Sequence, residues 1–456
     1  MAQHPTPAEV REFLERYPDI SSIDVLIADI NGCQRGKRIR RDALPKIYEH
    51  GVCLPGSLYG MDITGATVEA SGLGFDDGDA DRLCWPLAGR LHPAPWQTPA
   101  TGQVLMYMQE ADGRPFFADP RHVLATVVER FRALGLTPVV AVELEFYLID
   151  RKRDRDRRPQ PPVSPITGER ESSTQVYGVK EVDDYDRFFE DVARCCEAQG
   201  LPADTAVSEY APGQYEVNLH HRPDALAACD DAFLLKRLIK GVARHHGMEA
   251  TFMAKPYEDR AGSGLHLHAS LIDGNGANIF AAESPLGSDA LRQAAGGLIA
   301  TMTEGAAIFA PTANSYRRYR VNNYVPMAAA WGANNRTLAL RIPAGPPDSR
   351  RIEHRIAGAD ANPYTVAAAV LAGVHHGIAS RLDPGPATEG NAYTQIQPVV
   401  PRYWNEALTL FDRAAILPTY LGADFCRVYS ACRWHECETF NATVTPLEYE
   451  WYLRNV

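Results

Sequence analysis

The sequence predicts a chain of two domains that mixes strands with amphipathic helices, the second domain being built on strands with one polar and one apolar side. Three observations predict this. Several short segments alternate polar and apolar residues with period two. Helix starts are marked at Asp119-Pro120 and at Asp224. The character of the chain changes near Ala111-Asp112-Gly113, which places the domains at 1–112 and 113–456.

Taken in order, Ile23 to Ile30 is a strand that ends in the turn Asn31-Gly32. Asp42 to His50 is a short helix with Asp42 as N-cap and Gly51 beyond its end. Pro55 to Leu91 is rich in Gly and Asp, including Gly74-Phe75-Asp76-Asp77-Gly78-Asp79, and Val104 to Gln109 is a further strand. The second domain opens on a helix with Asp119 as N-cap, Pro120 at its first position and an inward stripe of Val123, Leu124, Val127, Val128, Phe131 and Leu134, closed by Gly135. Asp224 to Gly247 is a helix with Phe233, Leu234, Leu238 and Val242 inward. Arg151 to Arg158 is a solvated charge run, and Asp383 to Pro401 a loop.

Composition narrows the function. The chain has 456 residues, 45% hydrophobic and 23% charged, enough for a large core. A net charge of −11 argues against a nucleic-acid binder. Val366 to Val374, the most apolar run, is too short to span a bilayer, and the start of the sequence lacks the features of a signal peptide. Nine cysteines without a C-x-x-C suit free thiols in a reducing cytoplasm.

The chemistry sits on four strands. In Val139 to Ile149, Glu143 and Glu145 leave one face, while Val140, Val142, Leu144, Phe146 and Leu148 leave the other. Gln214, Glu216 and Asn218 share a face, with Glu209 across the Pro212-Gly213 turn. His266, His268 and Ser270 share a face, as do Arg351, Glu353 and Arg355. An antiparallel sheet with one wet face has this alternation too. Here, however, the polar faces carry Glu and His, not the Lys, Thr and Ser of a solvated sheet. Carboxylates that close repel and lose hydration unless a cation joins them. Carboxylates with one imidazole suit Mg²⁺ or Mn²⁺ better than zinc, and more than four carboxylates suggest two ions, the arrangement that clamps a transferring phosphoryl group. The arginines of Asn314 to Arg320, Arg336 and Arg341 supply positive charge suited to phosphate or carboxylate.

In combination and order, these segments resemble the glutamine synthetase superfamily. The resemblance rests on Val142 to Phe146, Glu209 with Gly213 to Glu216, Phe252 to Pro256 with Gly262 to His268, Asn314 to Arg318, Asn335-Arg336-Thr337 and Arg351 to Arg355. It implies an α+β fold with a small N-terminal β-grasp domain on a catalytic domain with a curved antiparallel sheet. Active sites would form between subunits of a ring, commonly stacked into a dodecamer. It implies one metal site of Glu145, Glu209 and Glu216 and another of Glu143, His266 and Glu353. ATP would contact His268, Ser270 and Arg351, and Arg336 would sit on the γ-phosphate. Glutamate would be held by Gly262, Arg318 and Arg355. The implied reaction makes γ-glutamyl phosphate from L-glutamate and ATP, which an amine then attacks.

The departures from the family bear on the amine. The loop glutamate that helps deprotonate ammonium in glutamine synthetases falls on Tyr324, while the acid of the N-terminal domain is kept as Asp29. Ala261 replaces the asparagine of the glutamate-site loop, and a lysine of the ATP region falls near Asp348. One acid lost and one kept implies an amine larger than ammonia. Gly60 to Gly65 with the acidic loop 74–79, Trp331 to Thr337 and His354 to Tyr364 resemble the γ-glutamylpolyamine synthetases. A polyamine such as putrescine is therefore expected. The alternatives are a ligase for methylamine, ethanolamine or an aniline, an ammonia-using glutamine synthetase, and a silent glutamate or nucleotide sensor.

Overall fold

A computed structural model describes residues 6–320 and 324–456. The N-terminal part carries strands β1 (Ser22–Ala28), β2 (Gln34–Arg40), β3 (Val52–Pro55), β4 (Asp81–Ala94) and β5 (Thr101–Gln109). They form one sheet in the order β2-β1-β5-β4-β3, with β1 and β5 parallel and the other pairs antiparallel, the mixed sheet of the expected β-grasp domain. Helices α1 (Pro7–Arg16) and α2 (Leu44–His50) pack against β4. Neither α1 nor the length of β4 was expected. Asp42 is not the N-cap of α2: a 3₁₀ turn over Arg41–Ala43 precedes the helix, and the Asp42 carboxylate accepts from Arg40 at 3.3 Å.

A turn over residues 110–119 leads into α3 (Pro120–Arg132), whose N-cap Asp119 accepts from the amide of Arg121. The helices α4 (Val179–Asp183), α5 (Asp186–Gln199), α6 (Ala225–His245), α7 (Asp289–Thr301), α8 (Ala306–Phe309), α9 (Pro363–Ser380), α10 (Ala392–Gln395), α11 (Trp404–Asp412), α12 (Leu417–Leu421), α13 (Ala423–Ala442) and α14 (Pro446–Tyr452) follow. The short α10 lies in the segment expected to be loop throughout.

The second sheet has eight strands: β6 (Thr137–Asp150), β7 (Ala203–Ser208), β8 (Gln214–Leu219), β9 (Met248–Thr251), β10 (Leu265–Ile272), β11 (Trp331–Ala333), β12 (Leu340–Ile342) and β13 (Ile352–His354). It is curved, runs β11-β12-β13-β10-β6-β8-β7 with β9 beside β6, and is antiparallel except for β11 and β12. The class is α+β. Val140, Val142, Leu144, Phe146 and Leu148 of β6 are fully buried, and α6, whose Phe233, Leu235, Leu238 and Ile239 are buried in the same core, packs against β6. Behind them α7 and α9 touch backbone to backbone: a Cβ on Gly297 would lie 2.1 Å from the carbonyl oxygen of Gly373. Among the described residues, no helix is long and apolar enough to cross a membrane.

Candidate active site

Strand register builds the site. With β6 between β10 and β8, Glu143 stands opposite His266 on one side and Asn218 on the other, and Glu145 stands opposite Glu216. One strand further out, His268 faces Glu353, which faces Arg341. Period two sends all of these to the face away from α6. Glu209 joins from the turn between β7 and β8, where its amide donates to the Gln214 carbonyl at 2.8 Å.

Three groupings of these side chains have ligand atoms within 4.8 Å of one another: Glu145, Glu209 and Glu216; Glu143, Glu216 and His266; and Glu143, His268 and Glu353. The first is the set expected for one metal. The second expected set is also close-knit, since His266 Nδ1 lies 3.2 Å from Glu143 and 3.8 Å from Glu353. His268, expected at ATP, stands beside Glu143 and Glu353 as well. Arg351 Nε donates to its Nδ1 at 3.1 Å, so a neutral His268 carries its proton on Nε2 and gives it to Glu143 at 2.8 Å.

The cluster holds more negative charge than its own cations balance on one side. Burial, and then repulsion from Glu145, push the Glu209 carboxyl up to about 8, against the pull of Arg336. Burial and the neighbouring Glu143, Glu145 and Glu209 raise Glu216 well above the usual range. On the other side burial is outweighed. Hydrogen bonds from His266 and His268 hold Glu143 well below the usual range. Arg355, then His268 and His266, bring Glu353 down to about 2. An oxygen-rich set with imidazole beside it, in which like charges repel, fits hard divalent cations. Glu145, Glu209 and Glu216 would hold one and Glu143, His266 and Glu353 another. The element that binds is not fixed by these donors.

Around the cluster, Gly264 brings the backbone close: its amide donates to Glu145 at 2.7 Å, and a Cβ there would lie 3.0 Å from His266 Nε2 and 3.3 Å from Arg318 Nη2. Only glycine leaves that space open. A cleft of about 990 Å³ opens on one side, lined by Glu143, His268, Ser270, Arg351 and Asp348 among others. A second cavity of about 770 Å³ is lined by Arg336 and Tyr324 among others.

These features were compared with known proteins. The sequence model of the glutamine synthetase catalytic domain matches residues 117–452. The chain belongs to the glutamine synthetase family. Its relatives include a gamma-glutamylputrescine synthetase of Escherichia coli K12, 45% identical over 447 residues, covering 98% of this chain and 94% of that protein. A glutamate–isopropylamine ligase of a Pseudomonas species is 32% identical over 456 residues, covering 98% and 97%. Among solved structures, apo GmaS superposes with a TM-score of 0.83 at 27% identity, covering 97% of this chain and 98% of that one.

In this member of the glutamine synthetase family the residues expected at glutamate are placed as follows. Arg318 is buried and donates to the Ile356 carbonyl at 3.1 Å, and Arg355 is buried and donates to Glu353. The Nε atoms of both are closed off from solvent and lack a hydrogen-bond partner among the described residues. Gly262 presents its carbonyl to Gln214 Nε2 at 3.1 Å, and Ala261 presents its own to the Tyr147 hydroxyl at 2.7 Å.

Asp29 is placed elsewhere. Its carboxylate is fully buried and accepts from Arg35 Nε at 2.8 Å and from the amides of Asn31 and Cys33, while Asn362 at the start of α9 donates to its carbonyl at 2.9 Å. It lines neither cavity of its own chain. In the acidic loop, Asp77 pairs with Arg82 at 3.0 Å, and this loop lines neither cavity either. Of two supporting residues, Arg341 was expected among the arginines for phosphate or carboxylate, and Lys236 was not singled out by the sequence. Arg341 bridges Glu353 at 2.7 Å and Asn334 at 3.0 Å. Lys236, a buried lysine on α6, holds the carbonyls of Ala359 and Ala361 at 2.7 and 3.3 Å, and burial lowers it to about 8.

Replacing Glu145 by alanine removes one carboxylate of the Glu145, Glu209 and Glu216 grouping. Glu145→Ala is expected to lower ATP-dependent turnover at least about a hundredfold and to remove the rise in Tm that Mg²⁺ gives the native chain. Native-like turnover together with a native-like Mg²⁺ shift would refute the assignment.

Proposed function

We propose that this chain is an ATP-dependent ligase that joins the γ-carboxyl of L-glutamate to a primary amine, with a diamine such as putrescine as the preferred acceptor. The observation that carries the choice of amine is Tyr324. It stands where an ammonia-using enzyme needs a carboxylate, and it lines an open cavity beside Arg336. The similarity to a gamma-glutamylputrescine synthetase over 98% of the chain supports the same choice.

The residues divide the work as follows. Arg351, His268 and Ser270 orient the nucleotide in the larger cleft. Arg318 and Arg355, at the positions that hold glutamate in the family, hold it so that its γ-carboxylate oxygen lies in line with the γ-phosphorus. That oxygen forms a bond to phosphorus as the bond to ADP breaks, with Arg336 offsetting charge on the equatorial oxygens. The amine, having given up a proton, attacks the acyl carbon, and phosphate leaves with the oxygen that came from the carboxylate. Divalent cations held by the glutamates and His266, Mg²⁺ or Mn²⁺, would supply charge neutralisation on the phosphoryl oxygens.

We also infer that the chain works in the cytoplasm as a ring of copies, the stacked dodecamer being the expected form. All nine cysteines are free thiols, seven of them buried, which suits a reducing compartment. Residues 444–456 expose Val444, Leu447, Tyr449, Trp451, Leu453 and Val456, an apolar stretch that a second copy would cover. In such a ring Asp29 would serve a neighbouring chain's amine only after release from Arg35.

Two experiments test this reading. ADP release with glutamate and a panel of amines should be faster with putrescine than with ammonia, and Tyr324→Glu should shift the ratio toward ammonia. Comparable native turnover with both would remove the diamine, and a ratio unmoved by Tyr324→Glu would remove Tyr324 from the account. Sedimentation velocity of the chain ending at Thr443 should show smaller assemblies than the full chain, and an unchanged size would contradict the role given to the C-terminal stretch.

A further inference from the structure

The candidate metal-binding cluster lines the larger of two cavities through Glu143 and His268. The larger one takes the nucleotide in the reading above. The second, of about 770 Å³, is connected to the cluster by three links. Arg336, in its wall, pulls on the Glu209 carboxyl electrostatically. Arg341 bridges Glu353 of the cluster to Asn334 of the wall. The Tyr393 hydroxyl, hydrogen-bonded to the Val325 carbonyl at 3.1 Å, feels the charge of Arg355, which donates to Glu353 of the cluster. A nucleophile approaching a carbonyl carbon whose phosphate lies against Arg336 therefore has this cavity in front of it, on a different side from the nucleotide.

The wall has a definite polarity. Among its described residues, Arg336 is the one cation and Glu389 the one carboxylate. Tyr324, Leu286 and Ala387 provide apolar surface. The backbone around Glu389 is held at two points. The Glu389 carbonyl accepts from Gln395 Nε2 at 2.9 Å. The next carbonyl, of Gly390, accepts from Asn335 Nδ2 at 2.7 Å, and Asn335 is the neighbour of Arg336 in sequence. The cation and the anion are thus tied to each other through the backbone. A second observation marks the same wall. Tyr324 and Asn334 both hold the left-handed backbone at φ 52° and 43°, a conformation that side-chain-bearing residues seldom adopt and that clusters where function demands a fixed geometry.

We propose that Glu389 selects a diamine over a monoamine by pairing with the second, non-reacting ammonium while the first nitrogen attacks beside Arg336. This rests on the reading of the chain as a glutamate–amine ligase. A diamine at neutral pH has two charged ends, and only one of them must lose a proton to react. The end that stays charged is repelled by Arg336 and attracted by Glu389, so the wall orients the molecule with its neutral nitrogen toward the acyl phosphate. The aliphatic spacer lies against the apolar surface between them, with the Tyr324 ring as one side. A monoamine of the same length fits the apolar part and leaves Glu389 without a partner.

The test compares kcat/KM for 1,4-diaminobutane with that for n-butylamine, which differs only in lacking the second ammonium. Glu389 is solvent-exposed, so substitution there does not disturb a packed core. Native enzyme should favour the diamine. Glu389→Gln should reduce the diamine-to-monoamine ratio about tenfold, the size of one lost charged hydrogen bond, and Glu389→Asp should recover most of it. A Glu389→Gln ratio within twofold of native overturns the role of Glu389 and leaves the ligase reading intact. A rise in KM for glutamate with the amine ratio unchanged also overturns it, since the carboxylate would then serve the α-ammonium of glutamate. Native enzyme that turns over with amines yet shows no preference for the diamine overturns both this inference and the choice of a diamine. Absence of any amine-dependent turnover overturns the ligase reading itself.

Discussion

The pairing of β6 with β8 and β10 is the constraint on which the rest of the site depends. It sets Glu145 against Glu216 and Glu143 against His266, and one strand out it sets His268 against Glu353. Because side chains alternate, a slip of β6 by one residue would turn Glu143 and Glu145 into the core and its apolar residues out. The register is held by the apolar face. Val140, Val142, Leu144, Phe146 and Leu148 are each fully buried, and burying such a side chain is worth about 1.5–3 kcal/mol. Like charges directly opposite each other oppose this by about 0.2–1 kcal/mol per pair. The core term is several times larger, so the sheet can carry a face of mutually repelling carboxylates.

That repulsion makes the face useful. The glutamates divide into a side neutralised by the protein and a side that is not. Glu353 is met by Arg355 and Arg341, and Glu143 by His266 and His268. Glu145, Glu209 and Glu216 have mainly one another, and Glu209 and Glu216 are pushed upward accordingly. Positive charge brought to this second side gains the most, which suits a site where a phosphoryl group is handed to a carboxylate. The arginines extend the pattern outward. Arg351 borders the larger cleft, Arg318 and Arg355 are buried, and Arg336 borders the second cavity.

Much of this was legible in the sequence because it follows from periodicity. The paired glutamates of β6, the Gln214-Glu216-Asn218 face and the His266-His268-Ser270 face needed only period two and the observation that Glu and His are unusual on a solvated sheet. The caps Asp119 and Asp224 marked α3 and α6 because their side chains accept from the helices' first amides. What escaped depends on contacts between segments far apart in the chain. Asp42 resembled a cap, but a 3₁₀ turn intervenes. The seat of Asp29 under Arg35 and Asn362 joins parts of the chain more than 300 residues apart. Arg341 was expected among the arginines for phosphate or carboxylate, and the fold places it on Glu353, while Lys236 carried no sequence signal until the fold placed it under the 359–361 loop. Glu389 lay in a segment without periodicity, and only the cavity it shares with Arg336 and Tyr324 distinguishes it.

The central claim is that this face transfers a phosphoryl group to the γ-carboxylate of glutamate before the amide forms. Its most direct test is oxygen transfer. Glutamate labelled with ¹⁸O in both γ-carboxylate positions is turned over with ATP and putrescine, and the released phosphate is analysed by mass spectrometry. Attack of the carboxylate on the γ-phosphorus, followed by loss of phosphate from the acyl carbon, predicts one ¹⁸O in each phosphate released. Unlabelled phosphate accompanying amide formation would contradict the account.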